Sequence, residues 1–242
     1  MALSNQLNKI VIVCSRLDLP GGTERASVNL ANLFASKGHK VTIIVLDKIA
    51  AIFYPIDKNI GVIKENLHFG IGTGGNMVTR KLQFLRHIFR LRKILKAVRP
   101  DYIISTEYSL TIPGFFATTG FTSKIIAWEH HHFYWIRKNK FWSLLFRYVY
   151  PKLQMVVTQN SVEKSLFEKL GCIVSVIPNV VPQQKRLAAL TSKMILSVGW
   201  LIKRKGIDLL PAVAEKVFAN YPDWKWKIIG GGEELLPFTT EI

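Results

Sequence analysis

The chain has 242 residues, 49% of them hydrophobic and 20% charged, which excludes a disordered tract and allows one large domain or one domain plus part of another. Its formal charge of +17 points to phosphate-bearing partners. No stretch reaches the ~18 uninterrupted apolar residues of a membrane span, the first apolar run is too short and too late for a secretion signal, and two cysteines give neither a disulfide framework nor zinc spacing.

The first predicted element is a strand over 9–15, apolar throughout and so buried on both faces. It contains Cys14, which reads as a buried core thiol in a reducing compartment. The turn Pro20-Gly21-Gly22 leads into a helix that ends near Ser36. Thr23 is its expected cap, Glu24 suits the positive end of its dipole, and Gly38 terminates it. Ala26, Leu30, Leu33 and Phe34 form its expected core stripe. A second buried strand covers 41–46, and strand, helix, strand in this order implies a right-handed βαβ unit. The Gly-rich loop 70–76 precedes a helix over 80–98, which Pro100 stops.

Strands at 101–105, 124–128, 154–158 and 174–177 then alternate with helices at 112–119, 141–150 and 161–170. This alternation predicts an α/β doubly wound sheet, with 1–181 as one Rossmann-like domain. Residues 182–192 read as a linker. From 193 a new βαβ unit begins: strand 194–198, loop 199–205, helix 207–220, strand 226–229 and the turn Gly230-Gly231-Gly232. Two strands and one helix do not build a two-sided core. Residues 193–242 are therefore expected to be the incomplete start of a second Rossmann-like domain, or a piece that packs onto the first domain or another chain.

Several motifs fall at carboxyl ends of predicted strands, where open α/β sheets bind ligands. Gly21-Gly22-Thr23-Glu24-Arg25 lets backbone approach a phosphate or sugar before a helix start, though an ordinary βα turn uses glycine too. It is not G-x-G-x-x-G, which weighs against a dinucleotide oxidoreductase. Lys203, Arg204 and Lys205 sit between a strand and a helix start, which suits a diphosphate. Gly230 and Gly231 make another such turn, followed by Glu233 and Glu234. In Trp128-Glu129-His130-His131-His132, adjacent histidines point apart and suit no single metal ion. One histidine lining a crevice, or a plain polar loop, are the open readings.

Charge is patterned as well. Residues 66–100 hold no acid but carry Arg80, Lys81, Arg86, Arg90, Arg92, Lys93, Lys96 and Arg99. Residues 130–162 again hold no acid, and interleave cations with aromatics such as Phe141, Trp142 and Tyr148. On the helix over 80–98, Phe84, Ile88, Leu91, Leu95 and Val98 make the core stripe. Arg86, Phe89, Arg90 and Lys93 lie on the other side with Leu82, a pattern that suits an anionic membrane surface as well as a solvated face. No helix-turn-helix, zinc-finger or RNP signature supports a nucleic-acid partner.

Together these stretches resemble family 4 glycosyltransferases. They run from Gly21 through Leu46, then Trp128-Glu129-His130, Val156-Val157-Thr158, Ile177-Pro178-Asn179-Val180, Ser197 through Leu210, and Ile228 through Glu233. The resemblance implies a GT-B fold of two Rossmann-like domains. It implies sugar transfer from a nucleotide-sugar, a UDP- or GDP-sugar, to a lipid-linked or surface-polysaccharide acceptor with retention, without metal or other cofactor. It places His130 toward the donor sugar as the catalytic group. Gly22, Arg204 and Lys205 fall at the donor phosphates, and Gly21, Glu24, Gly230 and Gly231 in donor or acceptor loops. It also implies peripheral attachment to the cytoplasmic face of a membrane. Trp200 stands where many members carry arginine, and the family's two glutamates with seven residues between them lie beyond Ile242. The alternative is a non-catalytic membrane- or acceptor-binding subunit whose partner chain supplies the missing half-domain.

Overall fold

The computed structural model describes residues 7–48, 51–69, 77–134, 140–180 and 191–232. The chain divides into two units, Met1–Val181 and Pro182–Ile242. The linker over 182–192 and the loop 70–76 fall largely or wholly outside the described residues, as do Glu233 and Glu234.

The first unit is a seven-stranded parallel sheet. Its strands are β1 (Lys9–Cys14), β2 (Lys40–Val45), β3 (Gly61–Lys64), β4 (Tyr102–Ser105), β5 (Lys124–Trp128), β6 (Met155–Thr158) and β7 (Val174–Val176). They lie in the order β3-β2-β1-β4-β5-β6-β7. The register places Ile10 between Val41 and Tyr102, and Trp128 beside Val157. The chain winds outward from β1 to β3 and then outward again from β4 to β7, so the switch point falls between β1 and β4.

The helices are α1 (Gly22–Ser36), α2 (Met77–Val98), α3 (Tyr108–Ala117), α4 (Lys140–Val149) and α5 (Ser161–Lys169). One face of the sheet packs on α2 to α5, where Leu91, Leu95, Ile112, Tyr150 and Phe167 are fully buried. The other packs on α1 through Val28 and Ala31. Both faces are covered, which is why the strands read as unbroken apolar runs. Truncating Leu91 or Leu95 to alanine costs about 2–5 kcal/mol.

Four details differ from the sequence expectation. Strand β3 carries no apolar run, since it is an exposed edge strand, and it was not anticipated. Helix α1 is capped at Gly21 rather than Thr23, because the helix begins at Gly22. Its fully buried residues are Ser27, Val28 and Ala31; Ala26, Leu30 and Phe34 pack partly buried against the same core as expected, while Leu33 is exposed. Helix α3 starts at Tyr108, ahead of the expected 112, and carries Pro113 inside it.

The C-terminus of α1 closes as expected. Gly38 adopts φ +86°, its N–H donates to Ala35 O at 2.9 Å and His39 N–H donates to Phe34 O at 3.1 Å. That is a Schellman closure, and the Phe34 and His39 rings touch at 5.8 Å between centroids.

The second unit contains β8 (Met194–Val198), β9 (Lys225–Ile229) and α6 (Leu210–Asn220). The two strands pair in parallel, from Met194 beside Lys225 to Val198 beside Ile229. A 3₁₀ turn at Lys203–Lys205 falls within the expected loop, and a second at Ile207–Leu209 occupies the start of the expected helix.

Candidate active site

The carboxyl edge of the first sheet collects most of the polar side chains of interest. At its switch point Ser15, just past β1, donates its hydroxyl hydrogen bond to a carboxylate oxygen of Glu107, just past β4. Thr106 Oγ1 donates to Val13 O at 3.5 Å from the same side. Sequence reasoning singled out neither Ser15 nor Glu107. The two are far apart in the chain, and only the strand order brings them together.

Gly21, Gly22 and Glu24 open α1 at this edge. Glu24 sits three residues past the cap and folds back over Gly21, where a Cβ would lie 2.0 Å from Glu24 Oε2. The carboxylate is the end of a flexible side chain, so a residue larger than glycine at 21 would displace Glu24 rather than the backbone. A Cβ at Gly22 would meet nothing within 4 Å. Nothing in the described fold requires glycine there, so the backbone at 22 stays open to a ligand.

His130 follows β5, two strands from β1 and hence about 10 Å along the edge. The period of two sends Trp128 and His130 to one face and Glu129 to the other. The Trp128 and His130 rings lie 4.4 Å apart between centroids. Glu129, buried on the opposite face, accepts a hydrogen bond from the Tyr150 hydroxyl. Burial first, and then the Glu129 charge, push the Tyr150 hydroxyl well above its usual range, so it stays protonated and keeps donating.

His130 Nδ1 lies 3.4 Å from Gln159 Nε2, and its buried Nε2 has no hydrogen-bond partner. Burial, reinforced by neighbouring His131, lowers its pKa to about 4. The imidazole is thus neutral at physiological pH, with one ring nitrogen uncommitted.

His131 is exposed, and His132 Nε2 lies 3.4 Å from Glu163 Oε1. Glu163 Oε2 also accepts from the Phe133 N–H at 3.0 Å, and Asn160 Oδ1 caps α5 by accepting from the Glu163 N–H at 2.9 Å. The loop after His130 is thereby tied to the start of α5. The three histidines go three ways, and among the described residues no group of three His, Cys, Asp or Glu is arranged to hold a metal ion.

The second unit carries the remaining expected site residues. Lys205 is exposed at the end of a 3₁₀ turn and pairs with no acid among the described residues. Arg204 lies in the same turn, but its side chain is outside the described residues. Gly206, at φ +72°, closes the turn in a conformation that disfavours a side chain. A Cβ at Gly230 would lie 1.8 Å from Gly199 O, whereas one at Gly231 would meet nothing within 4 Å. The loops after β8 and β9 touch backbone to backbone: Gly199 N–H donates to Ile229 O and Leu201 N–H to Gly231 O, each at 3.0 Å. Gly230 is thus accounted for by packing, and Gly231 is not.

On α2, Arg86, Phe89 and Lys93 are exposed, with Leu82 62% and Phe89 68% accessible. Arg90 differs from expectation in that its guanidinium is committed to Glu65 in a two-pronged pair, at 2.9 Å and 3.2 Å. Arg92 turns inward to the carbonyls of Ala117 and Thr119. No helix among the described residues is long and apolar enough to cross a membrane.

Comparison with known proteins gives a consistent picture. The sequence profile of Glycosyltransferase Family 4 matches residues 20–185. An uncharacterized glycosyltransferase of Haemophilus influenzae is 31% identical over 234 residues, covering 94% of this chain and 63% of its own length. Among solved structures, the apo lipopolysaccharide outer core galactosyltransferase WaaB superposes with a TM-score of 0.65 at 17% identity, covering 95% of this chain and 62% of that one. A TarM variant of S. aureus, in complex with fondaparinux, α-GlcNAc-glycerol and UDP, gives 0.70 at 12% identity, covering 96% and 74%. At these identities the structural likeness shows the fold, that of the GT-B glycosyltransferases, and nothing finer. The chain spans less than two thirds of the length of the Haemophilus relative.

Proposed function

Because this chain belongs to glycosyltransferase family 4, we propose that it moves a sugar from a nucleotide-sugar donor to a glycan or glycolipid acceptor, with retention at the anomeric carbon. The observation that carries this reading to particular atoms is His130. It is neutral, largely buried and has an unpartnered Nε2 at the carboxyl end of β5. A neutral imidazole suits hydrogen bonding to a sugar hydroxyl, and it would not hold the donor phosphates by charge.

In the proposed reaction the bond from the sugar C1 to the diphosphate oxygen breaks. The acceptor hydroxyl oxygen bonds to C1 on the same face, and its proton passes to the departing phosphate. The charge that builds on the diphosphate is met by Lys205, with Arg204 beside it in the chain. No metal is needed for these steps. The donor nucleotide is UDP or GDP.

The acceptor is lipid-linked or part of a surface polysaccharide, and the protein works at the cytoplasmic membrane face. What supports this is a pair of adjacent helices. Phe84 of α2 packs edge-on against Trp142 of α4 at 5.7 Å. Leu82, Leu85 and Phe89 of α2 are exposed, as are Phe141, Leu144 and Tyr148 of α4, among Arg86, Lys93, Lys140 and Arg147. Apolar groups interleaved with cations suit an anionic bilayer surface.

The experiment is nucleoside-diphosphate release from a panel of nucleotide-sugars, comparing wild type with Lys205→Ala and His130→Ala. Donor-dependent release that falls at least ~100-fold in Lys205→Ala supports the reading. Equal release by wild type and Lys205→Ala removes the phosphate assignment.

A further inference from the structure

Away from the groups described at the sheet edge, a concavity of about 650 Å³ opens between α2 and the segment that leaves β3. From α2 it is lined by Arg86, His87 and Arg90, which one helical stripe brings together; Lys48 reaches it from beyond β2, and Glu65 and His68 from beyond β3.

The charges there do not cancel. Three cations face one carboxylate, and that carboxylate is engaged by Arg90 through Nε at 3.2 Å and Nη2 at 2.9 Å. The pair fixes the plane of the Arg90 guanidinium while leaving other N–H groups to donate. Arg86 and Lys48 have no hydrogen bond or ion pair among the described residues. The His87 ring is held by the His68 backbone, with Nδ1 3.1 Å from His68 N and 2.9 Å from His68 O. That leaves Nε2 as its uncommitted nitrogen.

Lys48, Arg86 and Arg90 set against Glu65 leave the pocket an excess of two positive charges, together with several N–H donors. A phosphate monoester carries close to two negative charges and several acceptor oxygens, which matches on both counts. A carboxylate brings one charge, and the pocket already contains one.

We propose that Lys48, Arg86 and Arg90, with His87, form a binding site for a phosphate monoester, built from residues other than those assigned to the donor diphosphate. The phosphate can come from a soluble sugar phosphate or from a lipid headgroup. The exposed Leu82, Leu85 and Phe89 flank the pocket stripe on α2 and would lie beside the apolar part of a lipid. The site deepens the membrane-contact part of the proposed function, and rests on it only where the source is a lipid.

The test follows the imidazole resonances of His68 and His87 by NMR at constant ionic strength. One arm titrates inorganic phosphate against chloride. The other adds phosphatidylcholine vesicles with and without phosphatidic acid. Saturable phosphate-specific shifts that weaken ~10-fold or more in Arg86→Gln and in Lys48→Gln, but not in Lys169→Gln, support the site with a soluble ester as ligand. A response to phosphatidic acid vesicles alone, lost in Arg86→Gln, supports it with a lipid as ligand. Equal responses to phosphate and chloride, or unchanged responses in both pocket variants, overturn it. The double variant Leu82→Asp with Phe89→Asp separates the two ideas. Lost vesicle binding with retained phosphate shifts leaves the pocket standing without the lipid. Vesicle binding that survives this variant removes the apolar contact and leaves the pocket to be judged on the phosphate arm.

Discussion

Replacing His130 with glutamine tests how the buried imidazole is held. In the folded protein its pKa is lowered from 6.5 to about 4, first by burial and then by His131. Above pH 6.5 both the folded and unfolded forms are neutral, so this group adds no pH dependence. As the pH falls from 6.5 toward 4 the unfolded chain takes up a proton that the folded chain refuses, and stability drops. Below about 4 both forms are charged and the loss levels off. A displacement of roughly 2.5 pH units at 1.36 kcal/mol each gives a total loss of about 3 kcal/mol. His130→Gln cannot titrate and escapes this part of acid destabilisation. Urea unfolding followed by circular dichroism at steps from pH 7 to pH 4 measures it as the wild-type minus variant difference. An NMR titration of the His130 ring reads the pKa directly. A difference that stays flat across this window, or a ring that titrates near 6.5, refutes the buried-neutral assignment.

The two glycine motifs should respond in opposite ways. Gly22→Ala places a methyl group in open space at a residue without positive φ, so stability is unchanged or rises by about 0.4–1 kcal/mol. A fall in transfer by this well-folded variant then reports close ligand approach. Gly230→Ala forces a Cβ to within 1.8 Å of Gly199 O and should cost at least ~2 kcal/mol, seen as early loss of the second unit in thermal melts. Cys14 is pushed up to about 12 by burial and Cys172 to about 11, so neither should react with a thiol reagent at pH 8 until the chain is unfolded. Stoichiometric labelling of the native protein contradicts that.

The apolar runs of β1 and β2 are recognisable in sequence because both faces are covered. Edge strand β3 is not, since its exposed residues and Gly61 carry no pattern that burial would impose. The stripe of α2 was readable from Ile88, Leu91 and Leu95 because a long helix repeats its period several times. On the shorter α1 the pattern found Ala26, Leu30 and Phe34 but missed the deeper Ser27, Val28 and Ala31, and Pro113 obscured where α3 begins.

At the site, the opposite faces taken by Glu129 and His130 follow from strand alternation. The contacts that fix them do not. Tyr150, Glu163 and the Ser15–Glu107 bridge come from distant parts of the chain and needed the strand order. Nor could sequence separate glycines required by a neighbouring backbone, as at 230, from one open to a ligand, as at 22.

The most direct test of the central claim is equilibrium and turnover measurement with UDP- and GDP-hexoses on the purified protein, following nucleoside diphosphate and the anomeric configuration of the product. The account predicts donor-dependent release and a product that keeps the donor's configuration, both lost in Lys205→Ala. A product of inverted configuration, or failure of every nucleotide-sugar to bind, contradicts it.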